Sequence, residues 1–282
     1  MERNAELLLC EARINCLEVK SLASDYDVRF SGIRRLVGVS AQDRLRRAHV
    51  CVLGVGGVGS WTVEALARTG IGTLTLIDLD EVCVSNINRQ LPALTFEVGK
   101  PKVQVMKARV EGINPECNIH TIEQFFTPAS ADELLSRDYD YVIDAIDTLE
   151  NKALLIVRAR EKAIPIITIG GAGGRRDPTA VRVTDLAFTF NDRLLQKLRK
   201  TLRTDHGFPP RGNVPFGVDA VYSPEAPMFP HQDGTVCNRR EEGAATRLNC
   251  ESGYGTASFV TGTFGFVAAA HVVKRLTEQR SE

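Results

Sequence analysis

Gly54, Gly56, Gly57 and Gly59 stand between an apolar run, His49-Val-Cys-Val-Leu, and a segment that opens Ser60-Trp61-Thr-Val-Glu64. A turn of this composition handles phosphate. Gly54 permits a tight turn, Gly56 lets a backbone approach a pyrophosphate, and Gly59 lets the following helix lie close on the strand. The first amides of that helix then face negative charge. Asp78, at the end of the next apolar run, is placed for its carboxylate to accept ribose hydroxyls, with Asp80 two residues on. Taken alone, Gly-x-Gly-x-x-Gly with an acid about twenty residues on suggests a dinucleotide dehydrogenase. The residues that follow point elsewhere.

Those residues are Ser85-Asn86-Ile-Asn88-Arg89-Gln90, Gly99-Lys100-Pro101-Lys102, Asn114-Pro115 and Val142-Ile-Asp144-Ala-Ile-Asp147. In this order, after the glycine turn and the acidic pair, they resemble the ubiquitin-activating-enzyme superfamily of ThiF-type adenylyltransferases. The resemblance implies ATP bound by Gly54, Gly56, Gly57 and Gly59, with the ribose taken by Asp78 of the Asp78/Asp80 pair. It also implies Asn86, Arg89 and Lys102 around the phosphates, and Asp147 closing the nucleotide site and helping to hold Mg2+. The chemistry has its own logic. Forming an acyl adenylate brings a carboxylate onto an α-phosphate while pyrophosphate leaves, so like charges must be neutralised. Arg89 and Lys102 supply positive charge and Asp147 can seat the metal. Hydride transfer has no leaving pyrophosphate and needs none of them. Singly, an Arg or Lys near a loop is commonly a solvated charge, and an Asp at a strand end a helix cap. The ordered set carries the reading.

Relatives that activate a sulfur-carrier protein commonly hold zinc between two Cys-x-x-Cys pairs, and ubiquitin-activating relatives use a cysteine in a separate domain. The seven cysteines here form no Cys-x-x-Cys, and the chain has little room for that domain. Other segments resemble the branch of bacterial tRNA threonylcarbamoyladenosine dehydratases, over residues 29 to 276. They are Arg29-Phe30 with Arg35-Leu36, Ala65 to Gly72, Gly170-Gly-Ala-Gly-Gly174, Asp177-Pro-Thr179, Asp233-Gly-Thr-Val-Cys237 and Thr263-Phe-Gly-Phe-Val267. That branch implies a tRNA substrate bearing N6-threonylcarbamoyladenosine, whose threonyl carboxylate is adenylated before its own carbamoyl group closes a ring. AMP is a far better leaving group than hydroxide, and the internal nucleophile needs only orientation. The resemblance further implies a homodimer in which Arg35 reaches the partner subunit's ATP phosphates, the alternative being that Arg35 packs on its own surface. A link to a cysteine desulfurase and a sulfur-acceptor protein is also implied. Cys237 and Cys250 are then either relay thiols or small buried hydrophobes. Two rival functions stay open: adenylation of a ubiquitin-like or sulfur-carrier protein, and a non-catalytic, nucleotide-binding partner of a desulfurase. A monovalent cation requirement is open as well.

The elements that must position these residues follow from periodicity. Apolar runs at 49–53, 73–77, 118–122, 140–144 and 165–169 alternate with helical segments near 58–70, 100–113 and 150–163. This predicts an α/β fold, a Rossmann-like doubly wound and mostly parallel sheet, with an elaborated C-terminal third after Gly174. Residues 1–28 read as an N-terminal extension, either ordered or partly disordered, and 29–282 as one adenylation domain. Segment 192–206 puts Leu194, Leu195, Leu198 and Leu202 on one helical face, with Lys197, Lys200 and Arg203 largely elsewhere. That is either a solvated face or a grip for tRNA phosphates. Arg175-Arg176, beside the glycine loop, is a second candidate grip.

Thirty-five basic residues balance 35 acidic ones, so no global field draws in nucleic acid. Any RNA contact must come from a local patch. Scattered cysteines and the absence of a secretory pattern at the N-terminus fit a cytoplasmic protein. Residues 253–273 carry no Asp, Glu, Lys or Arg and reach the length of a membrane span. Their Gly, Thr, Ser and His content, without a dense Leu/Ile run, favours a buried helix packed through small residues.

Overall fold

The five apolar runs form strands in the computed structural model, which describes residues 25–239 and 254–278. They are β1 His49–Leu53, β2 Thr73–Ile77, β3 Asn118–Ile122, β4 Tyr141–Asp144 and β5 Ile166–Ile169. With β6 Arg182–Asp185 and β7 Asp219–Tyr222 they make a sheet of order β3-β2-β1-β4-β5-β7-β6. Every neighbouring pair is parallel except β6 with β7. From β1 the chain winds outward to β2 and β3, then returns to β4 on the other side. A crevice therefore opens at the carboxyl ends of β1 and β4, where such sheets bind ligands.

Around the sheet lie, in chain order, α1 Asp25–Arg29, α2 Ser31–Val37, α3 Val39–Arg47, α4 Gly59–Arg68 and α5 Lys102–Ile113. They are followed by α6 Ala131–Leu134, α7 Leu149–Glu161, α8 Arg193–Asp205 and α9 Ser258–Thr277. Strand alternation sorts them into two layers. Val50 and Val52 of β1 pack with Val63 and Leu66 of α4, Met106 of α5 and Phe264 of α9. Cys51 and Leu53 face the other way, toward Leu134 of α6, Ile156 of α7 and Leu198 of α8.

The charge-free C-terminal segment is the buried helix α9, starting at Ser258. Its small residues allow an approach to α4 that larger ones would block. A Cβ on Gly265 would lie 2.7 Å from the Val58 carbonyl oxygen and 2.8 Å from the Trp61 Cβ, and Thr62 Oγ1 donates to the Gly265 carbonyl at 3.2 Å. Phe264 between them is fully buried, which contributes about 1.5–3 kcal/mol. Among the described residues no helix is long and apolar enough to cross a membrane.

The packed chain reaches further toward the N-terminus than residue 29. Tyr26 on α1 is 2 % exposed, its hydroxyl donates to the Gly70 carbonyl at 2.6 Å, and its ring meets Phe30 at 4.7 Å. A short polar stretch hid this anchor. The rest of the expected extension, residues 1–24, lies outside the described residues. The C-terminal third adds β7 and the antiparallel strand β6 to the sheet, and beside it helix α8 and a separate hairpin of β8 Phe229–Pro230 with β9 Val236–Cys237.

Glu64 joins α4 to α5. Its carboxylate, 5 % exposed by residue, accepts two bonds from Arg109, at 2.6 and 3.0 Å, and one from Arg68 at 2.7 Å. Burial pushes this carboxyl up, but the hydrogen bonds from Arg109 and Arg68 outweigh it and hold the group below its ordinary value of 4.5. The stability it contributes is therefore fully present above that value and fades as pH falls through the lower folded one. Glu64→Gln is expected to cost about 1–2 kcal/mol at neutral pH, discounted for the exposed arginines. Urea unfolding of both proteins between pH 7 and pH 3 checks this: the difference must narrow at acid pH, and a constant deficit overturns the assignment.

Candidate active site

Two of the four turn glycines are required by close packing. Gly54 has φ +87°, and a Cβ there would sit 2.7 Å from the Ala145 carbonyl oxygen. A Cβ on Gly59 would land on the Gly54 carbonyl oxygen, with Ala145 Cβ 3.3 Å away. The other two leave room. Nothing lies closer to a Gly56 Cβ position than Gln90 Nε2 at 3.8 Å, and Gly57 has only Thr261 at 3.5 Å and the Arg89 stem at 3.6 Å. The open faces of Gly56 and Gly57 are where a phosphate chain can approach backbone.

Asp78 is fixed beside this turn. Its Oδ2 accepts the Val55 amide at 2.6 Å and its Oδ1 the Asp80 amide at 2.9 Å. Burial pushes its carboxyl up, against the pull of these two amides. Each oxygen keeps acceptor capacity for a ribose hydroxyl. Asp80 turns instead to Lys102, at the first position of α5: Nζ meets Oδ2 at 2.8 Å, and the Lys102 amide donates to the Asp80 carbonyl at 3.0 Å. The lysine is 5 % exposed, so the pair sets a desolvated cation next to Asp78.

Arg89 lies across Gly57. Its Nη1 donates to the Ser85 carbonyl at 2.7 Å and to Asn88 Oδ1 at 3.0 Å. Its own carbonyl accepts from Trp61 Nε1 at 3.0 Å and Thr261 Oγ1 at 3.2 Å, and Asn88 Nδ2 donates to the Thr256 carbonyl at 2.9 Å. The segment carrying Arg89 is thus pinned between α4 and the start of α9. Asn86 is 8 % exposed, and its Oδ1 accepts the Cys83 amide at 3.1 Å. Its oxygen is thereby engaged within the loop that carries Arg89.

Asp147 is exposed on the turn after β4, where it accepts from Thr148 Oγ1 at 3.4 Å. The same turn abuts Gly54 and Gly59 through Ala145. Sequence reasoning missed what holds it. Asp144, fully buried, pairs with the equally buried Lys152 at 2.8 Å and accepts from Thr168 Oγ1 at 2.6 Å and from the Ile146 amide at 3.2 Å. Burial pushes the Asp144 carboxyl up, while Lys152 pulls it down. Removing one member of such a pair costs about 3–5 kcal/mol. No signal in the sequence distinguishes Lys152 from a surface lysine.

Arg35 is exposed on α2, and among the described residues no hydrogen bond or ion pair joins it to this set. The Arg175-Arg176 doublet splits. Arg175 is 5 % exposed, donates to the Asn191 carbonyl at 2.6 Å, and among the described residues has no hydrogen-bond partner for Nε and Nη1. Arg176 is exposed, its amide on the Glu225 carboxylate. On α8, Leu195, Leu198 and Leu202 are buried and Lys197 and Lys200 exposed. Leu194 is half-buried, and Arg203 leans on the Phe216 ring at 4.9 Å and donates to the Pro209 carbonyl. Cys237 is half-buried on β9 with Sγ 3.2 Å from His231 Nε2. Cys250 lies outside the described residues.

A family model described as the ThiF family matches residues 31–282. The chain belongs to the ThiF family. The tRNA threonylcarbamoyladenosine dehydratase of Haemophilus influenzae is 47 % identical over 267 residues, spanning 94 % of this chain and 99 % of that protein. Structures of the E. coli tRNA N6-threonylcarbamoyladenosine dehydratase in complex with ATP and with AMP are each similar at TM-score 0.80 and 45 % identity, covering 90 % of this chain and 96 % of theirs. A sulfur carrier protein adenylyltransferase of Thermus thermophilus is 37 % identical over 119 residues, 42 % of this chain and 44 % of that one. Within the ThiF family, the likeness to the dehydratases therefore runs nearly end to end.

Steric room separates the roles of the ThiF-type glycines. Gly56→Ala is expected to keep the parent melting temperature while weakening ATP binding at least about tenfold, because its Cβ meets only the ligand. Gly59→Ala, which strikes backbone, is expected to lose folding stability first. Calorimetry with ATP and thermal melts of both variants check this, and unchanged ATP affinity in Gly56→Ala would sink the placement.

Proposed function

We propose that the chain is an ATP-dependent tRNA-modifying enzyme that adenylates the threonyl carboxylate of N6-threonylcarbamoyladenosine and lets the carbamoyl group close a ring. The net change in the nucleoside is the loss of one water, with ATP converted to AMP and pyrophosphate. The observation that carries this reading is the convergence of Arg89, the Lys102–Asp80 pair and the Asp147 turn on a glycine turn with two open faces. Only a reaction at phosphate requires that set.

The residues divide the work as follows. Gly54 and Gly59 shape the turn, Gly56 and Gly57 admit the phosphates, and Asp78 takes the ribose. Arg89 and Lys102 neutralise the phosphates as the carboxylate oxygen bonds to the α-phosphorus and the bond to pyrophosphate breaks. Asn86 supports the Arg89 loop. Among the described residues no cluster of three His, Cys, Asp or Glu side chains could cage a metal. A lone, weakly engaged carboxylate such as Asp147 suits Mg2+, which keeps most of its ligands as water and nucleotide phosphate. When bound, the ion adds positive charge at the phosphates.

Exposed cations on α8, Lys197 and Lys200, with Arg203 behind them and Arg176 by the glycine loop, form the local patch for tRNA phosphates. Arg175 acts there through the loop it braces. A homodimer fits the bare apolar side chains Leu36, Val84 and Phe96, 79 %, 68 % and 71 % exposed. Arg35, next to Leu36, is then positioned to reach a partner subunit. A cytoplasmic setting suits both the tRNA substrate and the free cysteines.

Mass spectrometry of nucleosides from tRNA bearing the modification, after incubation with the protein and Mg-ATP, tests the reading. The expected result is an ATP-dependent loss of 18 mass units, about one water. Arg89→Ala and Lys102→Ala are each expected to lower turnover at least about a hundredfold with an intact fold. Turnover by either at the parent rate removes its assigned role. No mass change from a folded, ATP-binding protein, with adenylation of a Gly-Gly-tailed carrier protein instead, overturns the dehydratase function.

A further inference from the structure

A pocket of about 410 Å³ opens beside the first two turns of α8, and six of its lining side chains are Phe190, Arg193, Gln196, Arg199, Phe229 and Asn238. Its volume lies in the range of small-ligand sites, about 300–1,000 Å³. The adenylation chemistry uses none of these residues.

Phe190 is 49 % exposed, and its ring forms a T-shaped pair with Tyr222 at 5.7 Å, so an exposed aromatic ring is held in place. The Arg193 guanidinium stacks over the Phe229 ring at 5.0 Å, and Arg199 donates to Thr189 Oγ1. Among the described residues neither arginine pairs with a carboxylate. The one acid in the lining, Asp192, is committed elsewhere: Oδ1 caps α8 on the Leu195 amide at 2.9 Å, and Oδ2 accepts the Gly171 amide at 2.8 Å. The Gln196 and Asn238 side-chain amides make no hydrogen bond among the described residues.

A held aromatic ring, two cations outside any ion pair and two free amides are what a single unstacked nucleotide asks for: stacking for the base, charge for the phosphate, donors and acceptors for the base edge. Purely apolar ligands would waste the cations, and a lone phosphate would waste the ring. The Asp192–Gly171 bond also fixes where the pocket lies. Gly171 follows β5, next to β4 in the sheet, so the pocket opens on the same carboxyl edge as the glycine turn and Asp147. We propose that this pocket is a subsite for one unstacked nucleotide of the bound tRNA, its base on Phe190 and its phosphate at Arg193 and Arg199. The proposal rests on the tRNA reading and adds to it a place where a base outside the reaction centre is gripped.

The test is fluorescence-anisotropy binding of an unmodified anticodon stem–loop RNA, at several salt concentrations, by the full chain and by Phe190→Ala, Gln196→Ala and Lys197→Ala. Phe190→Ala is expected to bind at least about fivefold more weakly at every salt concentration, with an unchanged salt slope, as befits a lost stacking contact. Gln196→Ala should weaken binding in the same way, to a smaller degree. Lys197→Ala, outside the pocket, should instead reduce the salt slope by about one. Binding within twofold of the parent by both Phe190→Ala and Gln196→Ala overturns the subsite. If these two bind normally while the parent dehydrates tRNA, the subsite fails and the dehydratase reading stands. If the parent neither binds the RNA nor dehydrates tRNA, both fail. Thermal melts of each variant, altered at exposed positions, confirm that binding is read on folded protein.

Discussion

Everything in the nucleotide site hangs on one contact: the backbone of the turn after β4 lies directly against the glycine turn after β1. The Ala145 carbonyl oxygen would meet a Cβ on Gly54 at 2.7 Å, and the Gly54 carbonyl would meet one on Gly59. Three stretches of backbone therefore share a space that admits no side chain. This closeness puts the first amides of α4, the Asp147 turn and the carboxylate of Asp78 within reach of one bound nucleotide. The Ala145 amide, donating to the Leu53 carbonyl at 2.9 Å, continues the β1–β4 ladder into that contact.

Charged groups in this region are placed by partners rather than by solvent. Lys102 is held by Asp80, Asp144 by Lys152 and Thr168, and Glu64 by two arginines. Desolvation makes each of these charges costly on its own and strongly directional when paired. Arg89 is treated differently. Its backbone, more than its guanidinium, is what the fold grips, through Trp61 and Thr261. The side chain is left with local hydrogen bonds to Ser85 and Asn88, which a phosphate can replace at little cost.

What could be read from the sequence was set by local rules. Strands β1, β2, β4 and β5 coincide closely with their apolar runs because a strand buried on both faces must be nearly continuously apolar, whereas β3, at the sheet edge, is only partly buried. The glycine spacing was legible because the turn spans six residues and Gly59 must clear Gly54 within it, while the demand on Gly54 comes from the distant Ala145. Long-range pairings were not. Asn86 and Arg89 stand three residues apart in one motif, yet the first turns inward to cap the Cys83 amide. Lys152 looks like any helical lysine until Asp144 is brought beneath it. Arg175 and Arg176 are adjacent and alike, and only the fold, by burying one against Asn191, makes them different. Tyr26 escaped notice because its partner carbonyl, Gly70, lies 44 residues away.

The clamp on Arg89 has a consequence for how the protein is made. The Thr261 hydroxyl that reaches the Arg89 carbonyl is 172 residues further along the chain, and the Thr256 carbonyl that holds Asn88 is 168 residues from it. A ribosome emits the glycine turn, Asp78 and Lys102 long before it emits the start of α9. Until α9 docks on α4, the Arg89 carbonyl has only Trp61 of its two side-chain donors. The Arg89 segment therefore gains its full set of hydrogen bonds only after residue 261 has been made, and a chain cut before α9 would keep the glycine turn but lose the Thr256 and Thr261 contacts that hold this segment.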